Sequence, residues 1–116
     1  MEPSNMAVLT LLKAARATLA NPAHWTKDTN ARNITGRVVN AKDKSAVCWC
    51  ASGVLIKHTN ETADFVRAVL WLKAANHSDY KHGYKLADFN DHPETTHAQV
   101  IQLFDNAIAF HANDKV

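Results

Sequence analysis

Apolar residues recur at three- and four-residue steps along the first twenty positions: Val8, Leu11, Leu12, Ala15 and Leu19, with Lys13 and Arg16 on the other face. That period predicts an amphipathic helix. Pro3 and Ser4 precede it, and Asn21-Pro22 stops it, because the residue before a proline is driven out of the helical region. The pattern breaks over residues 26–43. Arg32-Asn33-Ile34, Thr35-Gly36 and Arg37-Val38-Val39 read as a small hairpin turning at the glycine. From about Ser45 to Lys57 the chain is apolar nearly all round, which predicts a central helix capped by Asp43 or Ser45. On such a helix Trp49 and Gly53 share a face, the glycine leaving room for the indole or for a neighbouring backbone.

Asn60 or Thr62 opens a further helix to about Asn76, with Phe65, Val66, Val69, Leu70 and Leu72 as its stripe. Residues 77–93 are polar and aromatic (Tyr80, Tyr84, Phe89), with one helical turn expected near Leu86 to Phe89. Thr96-His97-Ala98-Gln99 fits a capping box and starts the last helix, whose buried face is Val100, Leu103, Phe104, Ala107, Ile108 and His111. The tail after Asn113 is expected to fray. The expected architecture is mainly α: about four helices around one core, with a small β-hairpin near residues 31–39, in one domain spanning 1–116.

Composition agrees with that picture. At 116 residues, 47% hydrophobic and 21% charged, the chain has room for one core and not two. No apolar run reaches the ~20 residues of a membrane span, and the start of the chain is unlike a signal peptide. The expectation is a soluble, cytoplasmic protein without membrane contact. Cys48 and Cys50 are the only cysteines, and their spacing does not suit a disulfide, which fits a reducing compartment. The net charge of +2 falls short of a duplex nucleic-acid binder. Its distribution is uneven. Residues 1–57 carry eight Lys and Arg against three Asp and Glu, a balance of +5, while residues 58–116 carry a balance of −3. Such a split suits an anionic ligand, or head-to-tail association into a homo-oligomer.

The order Leu11-Leu12-x-x-Ala15, Trp25-Thr26, Ala31-Arg32-Asn33, Gly36-Arg37-x-Val39, Ala46-Val47-Cys48-Trp49-Cys50-Ala51-x-Gly53, Asn90-Asp91, Thr96-His97 and Leu103-Phe104-Asp105-x-Ala107-Ile108 resembles a family of short bacterial and phage proteins of unknown function. Its most specific parts are the Cys-Trp-Cys-Ala-x-Gly and Phe-Asp-x-Ala-Ile blocks. The resemblance implies a bacterial or phage origin and carries over no catalytic residue or cofactor. Small phage proteins often block a host component, which by analogy favours a binder over an enzyme.

Four constellations carry candidate chemistry. In the first, Lys27, Arg32, Arg37, Lys42 and Lys44 surround Trp25 and Trp49; arginine grips phosphate bidentately and an indole stacks on a base, which suits a nucleotide. The alternative is a solvated hairpin whose arginines pair with Asp28, Asp43, Asp88 or Asp91. The second is metal at Cys48 and Cys50 with His77, His82, His92 and His97. It is disfavoured because helical residues two apart diverge and no zinc spacing is present. The third is a thiol nucleophile at Cys48 or Cys50 with His92 or His97, disfavoured by burial in an apolar helix. The fourth is the polar cluster Asn90-Asp91-His92 with Glu94, Thr95, Thr96 and His97, at a helix start that could meet an anion or be simply a cap. The leading expectation is a non-enzymatic, phage-encoded binder of a small anionic ligand, such as a nucleotide signal of host defence. Trp25, Lys27, Arg32, Arg37, Asn90 and Thr96 are its ligand residues, with no catalytic residue, metal or cofactor. A protein-protein inhibitor of a host protein comes next, and a thiol- or histidine-dependent enzyme third.

Overall fold

The computed structural model describes residues 2–76 and 85–112. The expectations for His77, Tyr80, His82, Tyr84 and the tail after Asn113 lie outside them. Within them the chain is mainly helical, with one two-stranded antiparallel sheet.

Helix α1 (Pro3–Leu19) starts on its proline, where a missing N–H costs nothing, and buries Val8, Leu11, Leu12, Ala15 and Leu19, the stripe its period predicts. Each fully buried leucine contributes ~1.5–3 kcal/mol of apolar burial. Asn21 then caps a single 3-10 turn (Pro22–His24) by accepting from Ala23 N–H at 3.0 Å. Two histidines occupy the carbonyls left open at the end of α1. Nδ1 of His24 lies 3.0 Å from the Thr18 carbonyl, and Nε2 of His97 lies 2.6 Å from the Leu19 carbonyl.

The segment expected to be one helix from Ser45 to Lys57 divides in two. Ala46–Trp49 is strand β2, and helix α2 begins only at Ala51 and runs to His58. Strand β1 (Ala31–Asn33) pairs with β2 in antiparallel register, Ala31 opposite Trp49 and Arg32 opposite Cys48, with a bulge between Arg32 and Asn33. The expected tight turn at Gly36 is present, φ +83° there and an Arg32–Val38 bridge behind it. The longer ladder of β1, however, is made with β2. An apolar run cannot by itself distinguish a buried strand from a helix. Asp43 caps no helix: its carboxylate accepts from the N–H and hydroxyl of Ser45 in a turn leading into β2, bonds that lower its pKa.

Helix α2 is instead capped by Cys50, whose sulfur accepts from Gly53 N–H at 3.2 Å. Gly53 leaves room for a backbone and not for the indole. A β-carbon there would lie 1.9 Å from the carbonyl oxygen of Asn30, and that same carbonyl accepts from Cys50 N–H at 3.3 Å.

Helices α3 (Thr62–Asn76) and α5 (His97–Ala112) complete a three-helix bundle with α1, each packing on the other two; α2 lies on α1, and the short α4 (Leu86–Asp91) lies on α2. Trp71 stacks on His111 at 3.9 Å, and buried Asn76 donates to the carbonyls of Leu72 and Leu103 while accepting from Asn106, so α3 and α5 run antiparallel. Arg16 pairs with Asp105 at 2.8 Å, joining α1 to α5. The capping box is formed: Gln99 N–H donates to Thr96 Oγ1, and Thr96 N–H donates to Gln99 Oε1. Among the described residues no helix is long and apolar enough to cross a membrane.

Candidate binding site

After the 3-10 turn the chain crosses the end of the sheet. Trp25 bridges Trp49 in parallel fashion, and Thr26 N–H donates to the Trp49 carbonyl at 3.1 Å. Residues 26–28 then lie against the corner between α4 and α5, and four of the six expected ligand residues meet there.

Asn90 is the centre. Fully buried, its amide oxygen accepts from Trp25 Nε1 at 2.7 Å and from Ala51 N–H at 3.0 Å, while its amide nitrogen donates to the Thr26 carbonyl and to Asp91 Oδ1. Both its acceptor positions and both its donors have partners. Lys27 extends over the Trp25 ring, 5.4 Å from its centroid, and donates to the His92 carbonyl at 2.7 Å. Asp28, at φ +71°, donates its N–H to Asp91 Oδ1 at 2.8 Å. Arg32 lies across the outer surface of the sheet, donating to Thr26 Oγ1, the Gly36 carbonyl and the Lys27 carbonyl.

These bonds redefine the first constellation. The Arg32 guanidinium and the Lys27 ammonium are held by backbone carbonyls, the groups that most need partners when a loop folds back on itself. Among the described residues neither pairs with a carboxylate, so pairing with Asp28, Asp43, Asp88 or Asp91 is not how they are held either. Arg37 sits exposed beside the turn, apart from Lys27 and Trp25 in the network. Trp49 offers no stacking surface. It is buried, its Nε1 donates to the Ala41 carbonyl at 2.9 Å, and Lys57 covers its ring at 5.0 Å. Thr96 caps α5.

The polar cluster at 90–97 follows turn chemistry. Thr95 donates its hydroxyl to the Phe89 carbonyl at 2.7 Å, Glu94 N–H donates to His92 Nδ1, and His97 reaches the end of α1. For the cysteines, the expected reason for divergence does not hold, because Cys48 lies in a strand and Cys50 at a cap. Cys48 Sγ lies 3.9 Å from the Arg32 carbonyl, and Cys50 Sγ lies 3.7 Å from Asn30 Oδ1. Burial raises the Cys50 thiol above its ordinary pKa, more than the N–H groups of Gly53 and Ser52 lower it, which keeps it a protonated, poorly nucleophilic thiol. Among the described residues no group of three or more His, Cys, Asp or Glu side chains could hold a metal ion.

The sequence reading missed the outer face of the sheet. Ala31, Val39, Ala46 and Trp49 turn inward to the core. Register therefore sets Val38, Arg32 and Cys48 side by side on the other face, with Val47 exposed at the bulge. Val38 is 57% exposed, and Ile34 at the turn 87%, so large apolar side chains here face water. The detectable signal is β-branched Val47 between Ala46 and Cys48, masked by an apolar run that is equally compatible with a helix.

Residues 3–110 match a family of unknown function (DUF6197). The chain belongs to it. The DUF6197 match runs from the first residue of α1 into the last turn of α5, taking in the Asn90 network, the Cys50 cap and the sheet. No curated protein and no solved structure matches the chain.

Proposed function

We propose that this DUF6197 protein is a non-catalytic binding protein that holds a partner protein on the outer face of its small sheet. The observation that carries the reading is the solvent exposure of Val38 and Val47 on either side of Arg32, with Ile34 at the adjoining turn. Scattered apolar side chains on a surface need no explanation, whereas several gathered on one face of a strand pair mark an interaction surface. Arg32 contributes by lying flat, its three hydrogen bonds fixing the face without a mobile cation at its centre. The small-anion reading draws less support, since three of the five Arg32 N–H donors and one of the Lys27 donors are already engaged within the chain, which leaves both cations fixed in place with only part of their donors for a phosphate. A host protein within the bacterial cell is the kind of partner this reading calls for.

A photo-crosslinking residue placed at Val47 and, as control, at Leu70 on α3 tests it in a bacterial host. The expected result is a discrete adduct from position 47 that disappears when Val38→Asp is added, and no such adduct from position 70. Equal adducts from both positions, or none from position 47, would end the protein-surface reading. Calorimetry against linear and cyclic nucleotides completes the test: tight binding that is lost in Arg37→Ala would restore the small-anion reading in its place.

A further inference from the structure

Among the described residues the sheet ends on an unpaired edge. After the Gly36 turn the chain returns beside β1, where Asn33 N–H donates to the Arg37 carbonyl at 2.9 Å and Val39 N–H donates to the Ala31 carbonyl at 3.1 Å. In antiparallel pairing these two bonds flank the Arg32–Val38 bridge, so the N–H and C=O of Val38 itself point away from β1. Asn40 closes the edge: its side chain accepts from Lys42 N–H and its carbonyl from Asp43 N–H. A short edge with a free donor and acceptor is a template for one more strand.

The surroundings of this edge carry more cations than carboxylates. Arg37, Lys42 and Lys44 are all exposed, and the one carboxylate among them, Asp43, is held by Ser45. Lys42 donates to the Thr59 carbonyl, while Arg37 and Lys44 have no carboxylate partner among the described residues. Beside the edge lies an open cavity of about 460 Å³ walled by Val38, Val39, Asn40 and Ile56. Ile56 also lines a second cavity of about 310 Å³, together with Lys42, Glu61 and Phe65.

We propose that Val38–Asn40 is the docking edge for an extended segment of a partner protein in which acidic residues alternate with branched apolar ones. This deepens the protein-surface reading and rests on it. Main-chain bonds to Val38 supply pairing, alternate apolar side chains enter the cavity against Ile56, and the acidic ones meet Arg37 and Lys44. A second copy of this chain fits the edge poorly, because pairing two such edges would oppose the same cations.

The test uses the isotope-labelled full chain and three capped seven-residue peptides: alternating Glu and Val, alternating Lys and Val, and the Glu-Val peptide with backbone N-methyl groups. The expected result is salt-sensitive binding of the Glu-Val peptide with slowed exchange of the Val38 amide. The other two peptides should bind at least about fivefold more weakly, the scale of one or two lost hydrogen bonds. Val38→Pro removes the outward N–H and leaves the ladder bonds of its neighbours, so it should cause a similar loss. Should that variant fold poorly, the double variant Arg37→Glu, Lys44→Glu is to show the same loss for the Glu-Val peptide. Equal binding of the three peptides, absence of binding, or full binding by the folded variants overturns the proposal. So do concentration-dependent shifts at Val38 without peptide, which would place a second copy on the edge. The Val47 crosslink separates the two readings: if it persists while the peptides fail, the partner sits on the outer face and the edge proposal alone is lost.

Discussion

Replacing Asn90 by alanine asks whether this residue is a structural tie or a ligand contact. The substitution leaves Trp25 Nε1, Ala51 N–H and the Thr26 carbonyl without their partner. Ala51 is the first residue of α2, where the N–H has no carbonyl within its own helix, and it is fully buried, so water cannot take the place of the amide. A buried group left unpaired costs ~1–3 kcal/mol. Trp25 is only half-buried and its indole N–H regains part of its hydration. The expected loss is therefore ~2–4 kcal/mol, a large share of the ~5–15 kcal/mol that typically holds a domain together. At roughly 4 °C per kcal/mol for a domain of this size, the melting temperature should fall by about 8–16 °C. Urea denaturation followed by tryptophan fluorescence and circular dichroism measures it directly. Asn90→Asp is the companion: it keeps acceptors for Trp25 and Ala51 but loses the donor to Thr26 and sets a second carboxylate against Asp91. Its deficit should shrink as pH falls and one carboxyl protonates. An Asn90→Ala protein within about 0.5 kcal/mol of wild type would refute the tie and return Asn90 to the ligand candidates.

Gly53→Ala should destabilise by ~1–3 kcal/mol or more, because the new methyl meets the Asn30 backbone carbonyl and not a movable side chain; a neutral result in urea denaturation would contradict that close approach. Arg32→Ala should lower stability by about 1–2 kcal/mol through its three hydrogen bonds, while Arg37→Ala, exposed and without a side-chain bond among the described residues, should stay within about 0.5 kcal/mol. Equal effects of the two in thermal melts would sink the distinction. Lost hydration, with Lys57 and Lys42 nearby, holds His58 below its ordinary pKa of 6.5. The unfolded chain then binds the proton first, so the His58 contribution is intact above pH 6.5 and declines as pH falls below it towards the lower folded pKa. His58→Gln should flatten that part of the stability profile, and an unchanged slope between pH 7.5 and 5.5 would be evidence against the assignment.

Periodicity and start signals alone determined α1 and α5, with Pro3 and the Thr96–Gln99 box beside a stripe that repeats with the helical turn. These are local properties, carried by residues within a few positions of one another. For α3 they gave the helix but not its face: Val66 and Leu70 of the expected stripe are exposed, and Ala68, Leu72 and Asn76 are the buried residues, because the face is chosen by how α1 and α5 pack against it. The division of residues 45–57 into β2 and α2 was not local. An apolar run is compatible with either structure, and the outcome depended on β1 being available to pair with Ala46–Trp49 and on Cys50 acting as a cap. Likewise, Lys27 and Arg32 were visible as cations and Trp25 as an aromatic, but their partners were not. Lys27 reaches the carbonyl of His92, Trp25 the amide of Asn90, and Arg32 the carbonyls of a turn and a loop. A side chain's charge is written in the sequence, whereas the carbonyl it satisfies is chosen by how the chain returns on itself. Hence the sequence alone suggested a phosphate grip, where the tertiary structure put two of its cations on backbone carbonyls and, among the described residues, left the outer sheet face and the Val38 edge uncovered.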